Sequence, residues 1–335
     1  MTACSTGISR RSACTLIAAA MFALGGSAAL AQTNLRIATV NPPTNLSVQI
    51  AEEVGKRISE RTDGRLAFQV FPSAQLGTTT DSLEQASQGQ PVITFTSASF
   101  MAQFGVPELA AVDGPFVVAN NEEAERLAFS DLMRGYYERL AESSGIRVVA
   151  LNWFDGARHM IGTAPYPDPS ALDGVKMRVP PVETWLKTFE PLGVVATTVE
   201  AAEAYTALSQ GVVTAAESPL TGIADKKWHE PAKHITLTSH FNLFIGWVMS
   251  EEVYQSLGEE DQAILMEEFR KGGQELTAKA ESLQAEIRKD FEAEGVQFHE
   301  PDLGAFRQAT SGFWSGFPDW PEGLYDDIRA AATGQ

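Results

Sequence analysis

Arg178 is the side chain whose type and position point most directly to chemistry. A guanidinium is a rigid fork of donors that can grip a carboxylate or similar oxyanion through two parallel hydrogen bonds. It lies in the stretch Leu172-Asp173-Gly174-Val175-Lys176-Met177-Arg178-Val179-Pro180. There Val175, Met177 and Val179 alternate with Lys176 and Arg178, so a strand turns the three apolar side chains one way and the two basic ones the other. Gly174 supplies the turn that opens this strand, and Pro180 with Pro181 closes it. Arg178 therefore falls at a strand's carboxyl end, where α/β sheets collect ligand-binding groups. A strand-end arginine facing water fits the same spacing, so the stretch by itself leaves both readings open.

Catalytic and metal chemistry find less support. In His229-Glu230-Pro231-Ala232-Lys233-His234 the second histidine comes five residues after the first, and Pro231 breaks the helix a zinc protease motif requires. The chain has no G-x-S-x-G elbow, no P-loop, no G-x-G-x-x-G fingerprint and no EF-hand loop. The expectation is therefore no catalytic residue, no metal and no cofactor. A secreted hydrolase whose Ser, His and Asp converge from distant positions stays as an alternative.

The first 31 residues read as a secretory leader. Arg10 and Arg11 precede an apolar run from Leu16 to Leu24, and Ala29-Leu30-Ala31 fits a small-x-small cleavage site before Gln32. Ser12-Ala13-Cys14 lacks the apolar pair that follows a twin-arginine signal, which favours the general secretory route. Cys4 and Cys14, the two cysteines of the sequence, both fall in this segment, so the expected mature chain carries no thiol. The formal charge of the whole sequence is −18, and losing Arg10 and Arg11 takes it to −20. Such an acidic surface repels nucleic acid and anionic membranes.

The elements that must hold Arg178 follow from the rest of the chain. Leu35–Val40, Leu66–Phe71 and Val92–Phe95 read as strands, with one helix capped by Asn45 and running to about Thr62 and another beginning after Thr79 or Thr80. Strand, helix, strand, helix, strand argues a parallel sheet. Asn41, Ser73, Ser97 and Ser99 lie at its carboxyl ends, as small polar residues able to line a cleft. After a further strand, Arg147–Trp153, the turn Asp155-Gly156 lets the chain cross into a second lobe. That lobe holds a strand at Arg158–Thr163, the strand at Arg178, a helix Glu183–Glu190 and a helix Glu200–Gln210. One long apolar strand, Leu237–Ser250, brings the chain back. Apolar residues from Leu276 to Phe291, at spacings of three and four, predict a helix over Glu259–Glu294 with a bend at Gly272-Gly273.

Taken together, several segments resemble one family. They are Gly64-Arg65-Leu66 leading to Val70-Phe71-Pro72-Ser73-Ala74-Gln75-Leu76-Gly77, then Asp113-Gly114-Pro115-Phe116, Phe154-Asp155-Gly156-Ala157-Arg158, Leu172–Pro180 and Glu203–Val213. In order and spacing they resemble the dicarboxylate-type (DctP) solute-binding proteins of tripartite ATP-independent periplasmic (TRAP) transporters. The resemblance implies that Arg178 matches the arginine of a K-x-R-V-P motif that clamps the ligand carboxylate. It implies that Arg158 matches the arginine of a G-x-R motif, a second basic group at the same ligand. Ser218, in Ala216-Glu217-Ser218-Pro219, falls where many relatives have asparagine. Pro181 and Ala201 replace a contacting asparagine and a stacking aromatic, which argues against simple transfer of a sialic acid preference.

The resulting expectation is a two-lobed α/β periplasmic binding protein of the Venus-flytrap type, with a long helix spanning both lobes. Residues 1–31 form the signal peptide, 32–154 and 246–275 lobe I, and 155–245 and 276–335 lobe II. Ligand-binding residues are expected at Arg178, Arg158, Ser218, Asn41, Ser97, Trp153 and Phe241, with Trp185 as another source of an aromatic wall. The partners are a small organic acid and the TRAP membrane permease, with no nucleic acid, and the chain works as a periplasmic monomer. A ligand-sensing protein that feeds a receptor is the other binding alternative.

Overall fold

The computed structural model describes residues 1–3 and 32–335; residues 4–31, with the expected apolar run and both cysteines, lie outside the described residues. Strands β1 (Thr33–Ala38), β2 (Leu66–Phe71) and β3 (Val92–Ser97) pair in parallel around a central β1. Helices Leu46–Arg61 and Thr79–Ser87 connect them. Asn45 caps the first helix by accepting from the Ser47 amide at 3.0 Å. The second is capped one residue earlier than expected, by Thr78, because Asp81 three residues on completes a reciprocal capping box. Helices Asn121–Ala128 and Asp131–Ser144 then lead to β4 (Ile146–Ala150).

From β4 the chain crosses to β5 (Arg158–Gly162), β6 (Lys176–Val179), β7 (Val195–Thr198), β8 (Ala215–Ser218) and β9 (His234–Phe241). It returns in β10 (Ile245–Ser250) and adds β11 (Gln297–His299) late in the sequence. The result is two sheets, ordered β2-β1-β3-β10-β4 and β11-β9-β5-β8-β6-β7. Strand β10 runs antiparallel between β3 and β4, so the first sheet is mixed.

The single return strand expected over Leu237–Ser250 is instead two strands in two sheets. Buried Asp113 accepts from the Phe244 amide at 2.7 Å and the Ser99 amide at 2.8 Å. Its carboxylate thus bonds an amide at the break, and the chain changes sheets without leaving that donor unpaired. The helix expected at Glu200–Gln210 is also shorter, Ala204–Ser209, because Val199 continues alongside Val179 before the chain turns at Glu200–Glu203.

The long helix runs unbroken over Glu259–Ala293, 35 residues, or about 52 Å at the standard rise. Its first half lies on Leu46–Arg61, where Arg57 and Arg61 both reach Glu268 at 2.7 Å. Its second half places Phe291 in the second lobe's core with Ile223 and Trp228. The helix is not interrupted at Gly272-Gly273. These glycines permit close packing instead: a Cβ on Gly272 would fall 2.7 Å from Val54 and 2.8 Å from Trp153. The last helix, Leu324–Thr333, buries Leu324, Ile328 and Ala332 against the first lobe's Leu127, Met133 and Tyr136. The C-terminus therefore returns to the first lobe, whereas 276–335 was expected in the second, because its apolar face completes that core.

Candidate functional site

A cavity of about 140 Å³ lies between the two sheets. The loop after β1 brings Asn41 and the end of β3 brings Ser97 from the first lobe; β5, β6 and β8 bring Arg158, Arg178 and Ser218 from the second. Five of the seven expected residues thus line one space. The lobes also bond across their boundary. Asn45 Nδ2 donates to Asp225 at 2.5 Å, and Thr184 Oγ1 donates to Ser99 Oγ at 2.9 Å.

Arg178 is 4% exposed. Its Nε donates to the Val199 carbonyl at 2.8 Å, which fixes the guanidinium plane, and its carbon lies 5.7 Å from the centre of the Trp228 ring. Among the described residues no carboxylate reaches salt-bridge distance of it. Burial pushes its pKa down to about 10 against the opposing pull of Glu217. A cation taken out of water with no protein counter-ion is costly, and an anionic ligand removes that cost.

Arg158 is held quite differently. Its Nε and Nη2 donate to both carboxylate oxygens of Glu217, and Nη2 also donates to the Glu217 carbonyl at 2.9 Å. Antiparallel pairing of β5 with β8 sets up this contact, with His159 opposite Ser218. Glu217 is completely buried and also accepts from Trp185 Nε1 at 2.7 Å, with His240 Nε2 at 3.5 Å. Burial would raise its pKa, but Arg158 and His240 hold it below the usual carboxylate range. Arg158 is thus half of a buried ion pair at the cavity wall.

The two aromatic residues expected at the ligand are packed elsewhere. Trp153 is fully buried against Phe95, Trp247 and Phe269, and its Nε1 donates to the Phe269 carbonyl of the long helix at 2.8 Å. Phe241 is shut behind Trp185, ring centres 5.1 Å apart. Trp185, Trp228, Phe95 and Phe100 form the aromatic wall.

Sequence reasoning missed Glu217, Trp228, Lys226, Asp155 and Glu200. Asp155 and Glu200 line the cavity, and burial pushes both carboxyls up, Asp155 to about 6. Lys226 follows the short helix Leu220–Asp225, its Nζ 5.8 Å from the Trp228 ring centre. Burial lowers its pKa, partly offset by Asp225 and Asp155. Glu217 had a local signal, a lone carboxylate in the otherwise uncharged run Val212–Leu220. Lys226 had none. The described residues contain no cluster of three or more potential metal-binding His, Cys, Asp or Glu, and no helix long and apolar enough to cross a membrane.

Comparison with known proteins agrees with this geometry. Residues 37–318 match the DctP family model, described as bacterial extracellular solute-binding protein, family 7. A solute-binding protein of Roseobacter denitrificans is 30% identical, over 86% of this chain and 88% of its own. The sialic acid-binding periplasmic protein SiaP of Vibrio cholerae is 27% identical over 84% and 90%. A Fusobacterium TRAP periplasmic solute-binding protein with bound sn-glycerol-3-phosphate superposes with TM-score 0.86 at 29% identity, covering 90% of this chain and 97% of that one. One from Ochrobactrum anthropi with bound L-fuconate gives 0.86 at 26% identity, covering 90% and 100%. A family match across most of the chain, a two-sheet fold shared with solved relatives, and a buried arginine between the sheets that no carboxylate among the described residues reaches at salt-bridge distance agree: the chain belongs to family 7 of the bacterial extracellular solute-binding proteins, the subunits that capture small organic anions for TRAP transporters.

Proposed function

We propose that the ligand is a small hydroxylated monocarboxylate of about six carbons or fewer, with its carboxylate on Arg178. The observation that carries this reading is a buried guanidinium with no carboxylate partner, in a cavity that also presents Asp155 and Glu200. Arg178 answers one anionic group. The two carboxylates accept hydrogen bonds from hydroxyls and repel a second anion. A volume of about 140 Å³ holds on the order of ten water molecules, which suits a molecule of about that many heavy atoms and is small for a nine-carbon sugar acid. TRAP relatives with bound L-fuconate and L-galactonate, each 26% identical to this chain, support the same class.

In this reading the protein acts in the periplasm as a monomer, and binding alone does its work. Ligand touching both lobes favours the closed form by its differential affinity for that state, and the permease receives the closed form. Calorimetry with L-galactonate, L-fuconate, succinate and glycerol 3-phosphate tests it. The hydroxylated monocarboxylates should bind, and Arg178→Lys should weaken them at least about tenfold, because lysine keeps the charge but loses the paired donors. Equal affinity in the lysine variant sinks the clamp. Exclusive binding of succinate or the phosphate ester sinks the ligand class.

A further inference from the structure

Arg158 is less free than sequence reasoning expected, and Lys226, which that reasoning passed over, is better placed for the same part. Arg158 Nε and Nη2 are occupied by Glu217, so what it offers a ligand is the remainder of an already neutralised pair. Lys226 also lines the cavity, yet no carboxylate among the described residues lies within salt-bridge distance of it. Its charge is balanced at longer range by Asp155, which lines the same cavity, and by Asp225, its neighbour in sequence. Asp225 is itself occupied by Asn45 of the opposite lobe. Lys226 is thus balanced by two carboxylates and bound by neither.

Its backbone is fixed as well. The Lys226 amide donates to the Gly222 carbonyl at 3.2 Å, ending the helix Leu220–Asp225. A Cβ on Gly222 would already lie 3.4 Å from Lys226 Nζ. Lys226 and Arg178 lie at similar distances from one indole, 5.8 and 5.7 Å from the Trp228 ring centre. All three side chains line the same cavity.

We infer that Lys226 is the second ligand-gripping cation of the cleft, and that with Asp155 it reads a hydroxyl remote from the carboxylate held by Arg178. An ammonium donates to the hydroxyl oxygen, and the nearby carboxylate accepts its proton. Because Asp155 already offsets the lysine's charge, this end of the cleft favours a neutral hydroxyl over a second anion. The inference rests on the proposed ligand class and deepens it.

Calorimetry on the full mature chain separates the two. With L-galactonate and hexanoate as probes, Lys226→Met should lose at least tenfold in affinity for galactonate while hexanoate, which lacks hydroxyls, changes less than twofold. If wild type binds galactonate and Lys226→Met binds it equally well, the inference is overturned and the ligand class stands. A matching loss for both probes also overturns it, leaving Lys226 as a general electrostatic contributor. If wild type binds succinate or glycerol 3-phosphate in place of galactonate, the ligand class fails and hydroxyl reading fails with it. A melting temperature of unliganded Lys226→Met within a degree or two of wild type shows that the loss belongs to the site.

Discussion

Arg158 and Arg178 are both buried arginines of one cleft, yet their removal should have opposite profiles. Arg158→Ala leaves the Glu217 carboxylate buried with its main counter-charge gone, which costs roughly 3–5 kcal/mol of folding stability. Arg178→Ala removes a cation that has no protein counter-ion, so it should leave the unliganded fold nearly unchanged and abolish tight binding. Chemical denaturation and calorimetry on the two variants check this, and the double variant Arg158→Met, Glu217→Gln should recover much of the lost stability. A stable Arg158→Ala protein would contradict the ion-pair account. His159, beside this pair, gives a pH signature. Burial, with repulsion from His240 and Arg158, holds it neutral down to about pH 3. An unfolded histidine protonates near 6.5, so this contribution is complete above that pH and is lost as pH falls from there towards 3. Between pH 7 and 4, wild type should lose on the order of 3 kcal/mol more than His159→Asn, measured by denaturation at each pH. Parallel loss in both proteins would show that His159 is not the group involved.

Among the elements, the long helix inverts a common expectation. Gly→Ala in a helix interior usually stabilises by up to about 1 kcal/mol. Gly272→Ala should instead destabilise by roughly 1–3 kcal/mol, because the added methyl meets Val54 and Trp153 in a packed core. A raised melting temperature in that variant would refute the close-packing role. The same helix shows what the sequence makes legible. Its period and length follow from local spacing, but the glycines' purpose depends on Val54 and Trp153, which are far away in the chain. The strand carrying Arg178 was readable because alternation, an opening glycine and a closing proline are all local. The Arg158–Glu217 pair joins residues 59 positions apart through the pairing of β5 with β8, and spacing carries no trace of such pairing. Trp153 and Phe241 misled for a related reason: an aromatic side chain reads alike whether it walls a cleft or fills the core behind it.

Across the whole molecule, two lobes meet through hydrogen bonds that exist only while they touch. Thr184→Val keeps the side chain's shape but removes the donor to Ser99. It should lower ligand affinity about fivefold, near 1 kcal/mol, and shift X-ray scattering of the unliganded protein towards a larger radius. Unchanged affinity and scattering would mean that this contact does not bias closure. The placement of the tryptophans has an optical consequence. Of the six, Trp153 and Trp247 are sealed in the first lobe, and Trp314 and Trp320 lie in an aromatic cluster near the C-terminus. Trp185 and Trp228 line the cavity, and Trp228 lies close to both Arg178 and Lys226. A ligand that neutralises one cation and displaces water from the indole alters that chromophore's surroundings, while the four tryptophans that do not line the cavity act as an internal reference. Unlabelled protein therefore carries its own emission gauge of occupancy, and Trp228→Phe is the substitution that should silence most of it.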